Sequence, residues 1–331
     1  MKILIYGITG QDGYYLSSQL LSQGHTVFGV ARRTSSDNTQ RLKNVYSGNG
    51  SSILKHNNFH LIEGDINDQL SCFETIRKIV PDRLYNLAAQ SHVGTSFRQP
   101  ELTLNTTGVS AINLMNVYFD ICPNGRFYQA SSSEMFGSSV TKENGKQYQD
   151  EETTFNPQSP YAIAKSAAHY HCRNLRNQGY FACAGILFNH ESSLRGDEFV
   201  TKKIVNYVDK LKKCNYIYPT NKLQLGNINA SRDWGYAGDY TKAMQLIIES
   251  DTPDEFVVSM DETRTVKDFL IVAFDYIGEK WENFVEINHD LIRPNEVPYL
   301  RGRSDKIRRQ LNWEPEHTFE DLVEKMVKND I

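Results

Sequence analysis

The chain has 331 residues, of which 39% are apolar and 23% charged, with 36 basic against 40 acidic side chains. This composition excludes collagen-like, disulfide-scaffold and wholly disordered chains, and at about 150 residues per domain the length suits one large domain or two. The net charge of −4 provides no global positive field for nucleic acid or an anionic membrane, so any bound anion needs a local site.

Taken in chain order, the start runs Ile3–Tyr6 as a short apolar segment closed by Gly7, too short for the core of a secretory signal. No stretch approaches the ~18 consecutive apolar residues of a membrane span. The five cysteines, Cys72, Cys122, Cys172, Cys183 and Cys214, are odd in number and contain no CxxC pair, which argues against a disulfide framework or zinc site. A reducing cytoplasm is the expected location, with no metal, no nucleic acid and no membrane among the partners.

Strand-like runs are predicted at Lys2–Tyr6, Thr26–Val30, His60–Glu63, Arg83–Asn86, Phe127–Ala130 and Ala184–Leu187, with helix-length segments between them. Strands alternating with helices at this spacing indicate βαβ units and a parallel sheet. Beyond Glu191 the strand-like runs Leu223–Leu225 and Glu255–Val258 are sparser, and helical patterns at Thr265–Tyr276 and Thr318–Val327 dominate. The expected fold class is α/β, a Rossmann-type doubly wound parallel sheet with a smaller α/β domain. The sheet domain is expected over 1–189 with a return segment near 223–250, and the second domain over 190–222 and 251–331.

Directly after the first strand stand Gly7, Gly10 and Gly13, followed by a helical pattern over Tyr14–Gln23 that ends at Gly24. Glycines at a strand-to-helix turn let the backbone approach a pyrophosphate, which then sits on the free N–H groups and positive end of the helix. The spacing is GxxGxxG, as in short-chain dehydrogenases. After the second strand, where an NAD site carries a carboxylate for the ribose hydroxyl, the chain reads Arg32 and Arg33 with no acid before Asp37. Guanidinium groups pair with phosphate, so NADP is the better fit. Asp65 and Ile66 follow the third strand, with the carboxylate placed to accept from an adenine amino group.

Tyr161 and Lys165 are four residues apart behind a Ser159-Pro160 helix start, so they share a helix face. A lysine ammonium there is expected to lower the tyrosine pKa from ~10 and so to make a phenolate base. Ser132 lies in the segment that directly follows the Phe127–Ala130 strand run, and Glu134 lies two residues beyond it. One hydroxyl, the tyrosine and the lysine suffice for hydride chemistry; the extra carboxylate supplies the second acid/base that water elimination requires.

Several longer stretches extend these motifs: Tyr85 to Val93 (YNLAAQSHV), Tyr128 to Glu134 (YQASSSE), Asn189 to Ser192 (NHES), Phe199 to Ile204 (FVTKKI), Leu225 to Asn227 (LGN), Arg232 to Gly235 (RDWG), Arg293 to Val297 (RPNEV) and Leu311 to Pro315 (LNWEP). In order, from Ile3 to about Asp330, they resemble the GDP-mannose 4,6-dehydratase family. The resemblance implies an extended short-chain dehydrogenase/reductase fold and bound NADP. It implies catalytic roles for Ser132, Glu134, Tyr161 and Lys165. It implies cofactor contacts from Gly7, Thr9, Gly10, Gln11, Asp12, Gly13, Arg32, Arg33, Asp65, Ile66, Leu87, Ala88, Ala89, Gln90, Ser91, Tyr161, Lys165, His190 and Arg195. It implies contacts to a GDP-sugar from Ser91, Thr95, Ser96, Ser132, Glu134, Asn189, Glu191, Val200, Lys203, Leu225, Gly226, Asn227, Arg232, Arg293 and Glu296. Basic side chains suit a diphosphate there.

The chemistry that the resemblance implies is NADP-dependent C4 oxidation of GDP-mannose, water elimination across C5/C6 and hydride return to C6. The chain departs from the family pattern at Ser132, Thr95, Leu102 and Arg303. Thr95 and Leu102 fall near the expected sugar pocket, which keeps the same chemistry on GDP-D-glycero-D-manno-heptose open beside a nucleotide-sugar epimerase or reductase. A homodimer through helices of the sheet domain, or a homotetramer through the Arg32–Arg33 loop, is the assembly implied. His169 and His171, two apart on a helix, face different sides and make no metal pair. The basic run from Arg301 to Arg309 is expected to be solvated.

Overall fold

Residues 1–43, 52–214, 221–292, 295 and 297–331 are described by a computed structural model. Strand β1 (Lys2–Tyr6) is buried from Ile3 onward, as an apolar run at the centre of a parallel sheet must be. β2 (Thr26–Ala31) and β3 (Phe59–Glu63) lie to one side of it; β4 (Arg83–Asn86), β5 (Arg126–Ser132), β6 (Phe181–Leu187) and β7 (Glu255–Val258) lie to the other. The order is β7-β6-β5-β4-β1-β2-β3, with every neighbouring pair parallel. The chain reverses direction across the sheet between β1 and β4, and the carboxyl ends of strands at such a switch point open a ligand crevice.

Helix α1 (Gln11–Ser22) follows β1, α2 (Gln69–Ile79) follows β3, and α3 (Ser110–Ile121) and α4 (Pro160–Asn177) precede β5 and β6. Next in the chain come α5 (Val200–Lys213) and α6 (Ala237–Glu249). Alternation along β1 splits the core: Ile3 and Ile5 join Leu16 and Leu20 of α1 and Ile247 of α6 on one face. Leu4 and Tyr6 join Ile76 of α2, Leu114 of α3 and Ala168 of α4 on the other. This double covering is the doubly wound arrangement expected from the sequence.

The ends of the helices follow their capping chemistry. Ser159 accepts from the Ala162 N–H with Pro160 in the first turn of α4. Thr265 and Asp268 form a capping box at α7 (Val266–Asp275). After α8 (Asp305–Leu311), Thr318 and Asp321 do the same for α9 (Phe319–Lys328). Gly10 at the start of α1 supplies no side-chain cap.

Two boundaries of the return segment differ from the sequence reading. Leu223–Leu225 pairs with Val285–Ile287 outside the main sheet, whereas Glu255–Val258, placed in the second domain, is the seventh sheet strand beside β6. β7 is a four-residue run buried throughout, too short to announce its partner by alternation.

Candidate active site

The glycine loop closes on the switch point. Gly7 has φ +86°, and a Cβ there would sit 2.7 Å from the Leu87 and Ala88 backbone at the end of β4. A Cβ on Gly13 would lie 2.4 Å from the Ile8 carbonyl, so α1 packs against the loop at a distance only glycine permits. The cleft above has a volume of about 1310 Å³, beyond the ~300–1,000 Å³ of a single small-molecule site and suited to two extended ligands. At the β2 end, Arg32 lines the cleft and has no ion pair among the described residues. Asp37, the first acid after it, is taken up by Thr39, Gln40 and Lys43. Arg33 does not line the cleft. Asp65 lines it, with its side chain accepting from the N–H of Asn67.

The second cluster is built from the end of β5 and the face of α4. Ser132, Tyr161 and Lys165 are each 8% exposed or less, and all three line the cleft with Glu134. Ser132 caps a short 3₁₀ turn, where the Glu134 N–H donates to its Oγ at 3.3 Å. Lys165 Nζ donates to the Ala130 carbonyl at 2.6 Å and lies 5.9 Å from the centre of the Tyr161 ring. Burial raises the Tyr161 phenol to about 12, against a hydrogen bond from Ser132 that lowers it. Burial also lowers the Lys165 ammonium to about 8. The expectation that Lys165 lowers the phenol is therefore not met in this arrangement: the ammonium is committed to a β5 carbonyl, and desolvation dominates.

A third cluster joins the glycine loop to the segment Asn189–Glu191, which pairs with Trp234–Tyr236. His190 Nε2 lies 2.9 Å from Asp12 Oδ2, and Nδ1 lies 2.7 Å from the Phe188 carbonyl. The Gln11 amide donates to Asp12 and to the His190 carbonyl, while its oxygen accepts from Ser192. Burial would raise the Asp12 carboxyl, but the charge and hydrogen bond of His190 outweigh it and hold it at about 2. Arg195 pairs with buried Glu191 at 3.0 Å and lies over the Phe199 ring at 3.6 Å.

Residues 4–326 match the family model described as GDP-mannose 4,6 dehydratase. The chain belongs to the GDP-mannose 4,6-dehydratase family. GDP-mannose 4,6 dehydratase 1 of Arabidopsis thaliana is 45% identical over 337 residues, covering 99% of this chain and 89% of the relative. The human GDP-mannose 4,6 dehydratase is 38% identical, covering 99% of this chain and 91% of the relative. The solved dTDP-glucose 4,6-dehydratase of Bacillus anthracis in complex with NAD superposes with a TM-score of 0.82 at 19% identity, covering 99% of this chain and 96% of that one. The fold is thus that of the short-chain dehydrogenase/reductase nucleotide-sugar enzymes, and this dehydratase-family chain is an enzyme of the hydro-lyase class.

On the far side of the cleft of this dehydratase-family protein stand Asn189, Glu191, Val200, Lys203, Leu225, Gly226, Asn227 and Arg232. Ser91 and the Leu87–Gln90 stretch line the wall nearer β4. Thr95 and Ser96 do not line it. The Thr95 hydroxyl is 2.8 Å from His92 Nδ1, and fully buried Ser96 donates to the Val93 carbonyl, both on a short helix over Val93–Arg98. Leu102 lines the cleft at 44% exposure. Arg303 instead pairs with Glu143 and Asp150 over the Tyr148 ring. Arg293 and Glu296 lie outside the described residues.

Two contributors carried no signal in the sequence. Arg41 holds the glycine loop by donating to the carbonyls of Thr9 and Leu194, and a lone arginine after the second strand has no spacing that announces this. His169, read as structural or surface, is fully buried beneath Ser131 at 2.8 Å and beside Glu255 at 3.4 Å.

Proposed function

We propose that the protein catalyses the NADP-dependent 4,6-dehydration of GDP-mannose to GDP-4-keto-6-deoxy-mannose and water. The observation that carries this reading is the meeting of Ser132, Glu134, Tyr161 and Lys165 in one cleft on a chain of the GDP-mannose dehydratase family. Glycines packed to backbone distance below an uncapped helix start fit a dinucleotide pyrophosphate, and Arg32, without an ion pair among the described residues, fits a 2′-phosphate. A bound nicotinamide would supply the hydride acceptor for oxidation at C4 and the hydride donor for reduction at C6.

The chain's own residues handle the protons. Tyr161, assisted by the Ser132 hydroxyl, takes the 4-hydroxyl proton as the ketone forms. The ketone acidifies the C5 proton, which Glu134 removes; the same carboxyl protonates the departing C6 hydroxyl as water, and as hydride reaches C6 the proton held by Tyr161 passes to C5, so both side chains end as they began. Lys165 holds positive charge at the cleft floor beside the phenol. Lys203 and Arg232 line the far side where the GDP diphosphate is read to lie. One observation favours a second reading, GDP-D-glycero-D-manno-heptose with the same chemistry: Leu102, where the family resemblance leads one to expect a tyrosine, lines the cleft. An epimerase or reductase would leave Glu134 without a task.

The assembly we infer is a homodimer. Ile163 and Tyr170, two turns apart on α4, and Val109 on the adjoining helical segment are exposed large apolar side chains of the sheet domain. The deciding experiment is mass spectrometry of the protein incubated with NADP and either GDP-mannose or GDP-manno-heptose. Loss of one water from GDP-mannose supports the reading; loss from the heptose alone moves the substrate to the second reading. Loss from neither overturns both.

A further inference from the structure

Asp12 poses a physical problem for any anionic ligand at the start of α1. The helix terminus attracts a pyrophosphate through its free N–H groups and dipole, yet Asp12 stands in that first turn and lines the same cleft. An unpaired carboxylate there would repel the ligand.

The surroundings of His190 remove the problem. A neutral imidazole carries one N–H and one lone pair. Here both ring nitrogens face acceptors: Nδ1 faces the Phe188 carbonyl at 2.7 Å and Nε2 faces Asp12 Oδ2 at 2.9 Å. A carbonyl only accepts, so Nδ1 carries a proton. If Nε2 were bare, Asp12 would have to carry the second proton. Asp12 already accepts from the Gln11 amide on its other oxygen, and the Arg195 charge favours its ionised form. The imidazole ring also stacks on buried Tyr240, with centroids 4.8 Å apart and planes at 21°, a geometry that favours a cation over a π face.

We propose that His190 is an imidazolium at neutral pH that neutralises Asp12, and that this pair keeps the glycine loop able to take an anionic dinucleotide. His190 is on this account a positioning residue, with both ring nitrogens committed to the protein. The inference rests on reading the cleft as a dinucleotide site, but the charge state can be measured without it.

The groups that set the charge come from every packed element: Asp12 and Gln11 from α1, the Phe188 carbonyl beyond β6, Glu191 and Arg195 from the same segment, Tyr240 from α6, and Lys165 and Tyr161 from α4, which sense Asp12. Asp12 raises the pKa of His190 against the burial that lowers it.

The test is ¹⁵N NMR of histidine-labelled protein without ligand at pH 7.5, with His190 assigned through its contact with the Tyr240 ring. At that pH a free imidazole is about nine-tenths neutral. Both ring nitrogens of His190 are expected to be protonated. A bare nitrogen, whether from a neutral imidazole or from a partner Asp12 that carries the proton, overturns the proposal. Titration calorimetry with NADP supplies the second arm. Wild-type affinity should fall by up to about tenfold per pH unit once the His190 proton is lost, whereas Asp12→Asn should bind with no such pH slope. An equal slope in the variant would overturn the coupling. Absence of NADP binding at every pH would instead sink the cofactor reading and leave the NMR result to decide the ion pair.

Discussion

In the proposed reaction Tyr161 takes up the proton, but burial raises its phenol to about 12, so that role depends on positive charge held close by. Lys165 is charged below its lowered value of about 8 and loses that charge above it. A plot of kcat/KM against pH should therefore bend downward on the alkaline side near pH 8, and Lys165→Arg should move that bend upward. Glu134→Gln should lower the rate of water loss by about 10²- to 10⁴-fold while C4 oxidation, followed as nicotinamide reduction in a single turnover, persists. Full water loss in that variant would remove the carboxylate from its assigned role. At Arg32, replacement by alanine should weaken NADP about tenfold or more and NAD much less; equal weakening of both would mean that the guanidinium does not read the 2′-phosphate.

Among the elements, the β1–loop–α1 unit is the most exacting. Gly13→Ala would place a methyl group 2.4 Å from the Ile8 carbonyl, and backbone cannot yield as a flexible side chain does. We expect a loss of about 1–3 kcal/mol or more, read by denaturant unfolding. The join between α4 and β7 has a different chemistry. Glu255 is buried between Arg173, Arg176 and His169. Burial would raise its carboxyl, but the hydrogen bonds from His169 and the arginines hold it well below the usual range. A depressed carboxyl contributes stability that is present above its unfolded value of ~4.3 and is lost as pH falls through the folded value. Glu255→Ala should therefore destabilise the protein at neutral pH, by about 3–5 kcal/mol, and flatten the acid limb of its stability profile below pH 4; an unchanged acid limb would assign that limb to other carboxylates. The first element was legible because strand, glycine spacing and helix follow one another without a break from Lys2 to Ser22. The second was not, since Glu255 on β7 meets Ala184 on β6 and His169, Arg173 and Arg176 on α4, all remote from it along the chain.

For the whole molecule, no helix among the described residues is long and apolar enough to cross a membrane, and the apolar side chains Ile163 and Tyr170 on α4 remain exposed. If this face joins two copies, Ile163→Glu should convert a dimer to a monomer in light scattering after gel filtration, with far-ultraviolet circular dichroism unchanged. A wild-type monomer would remove the assembly from the account. The sequence by itself determined the alternation of strands and helices in the first half, the glycine loop and the placing of Tyr161 and Lys165 on one helix face, because a period of two or 3.6 residues and a fixed spacing are local properties of the backbone. The tertiary structure alone decided which groups are charged and which face the cleft. Ser96 is buried on its helix and Thr95 meets His92, the phenol of Tyr161 is raised where a lowered value was expected, and Asp12 meets His190 across 178 residues. Ionisation and pairing depend on what packs around a group and how much water is excluded, and neither quantity is written in the spacing of residues along the chain.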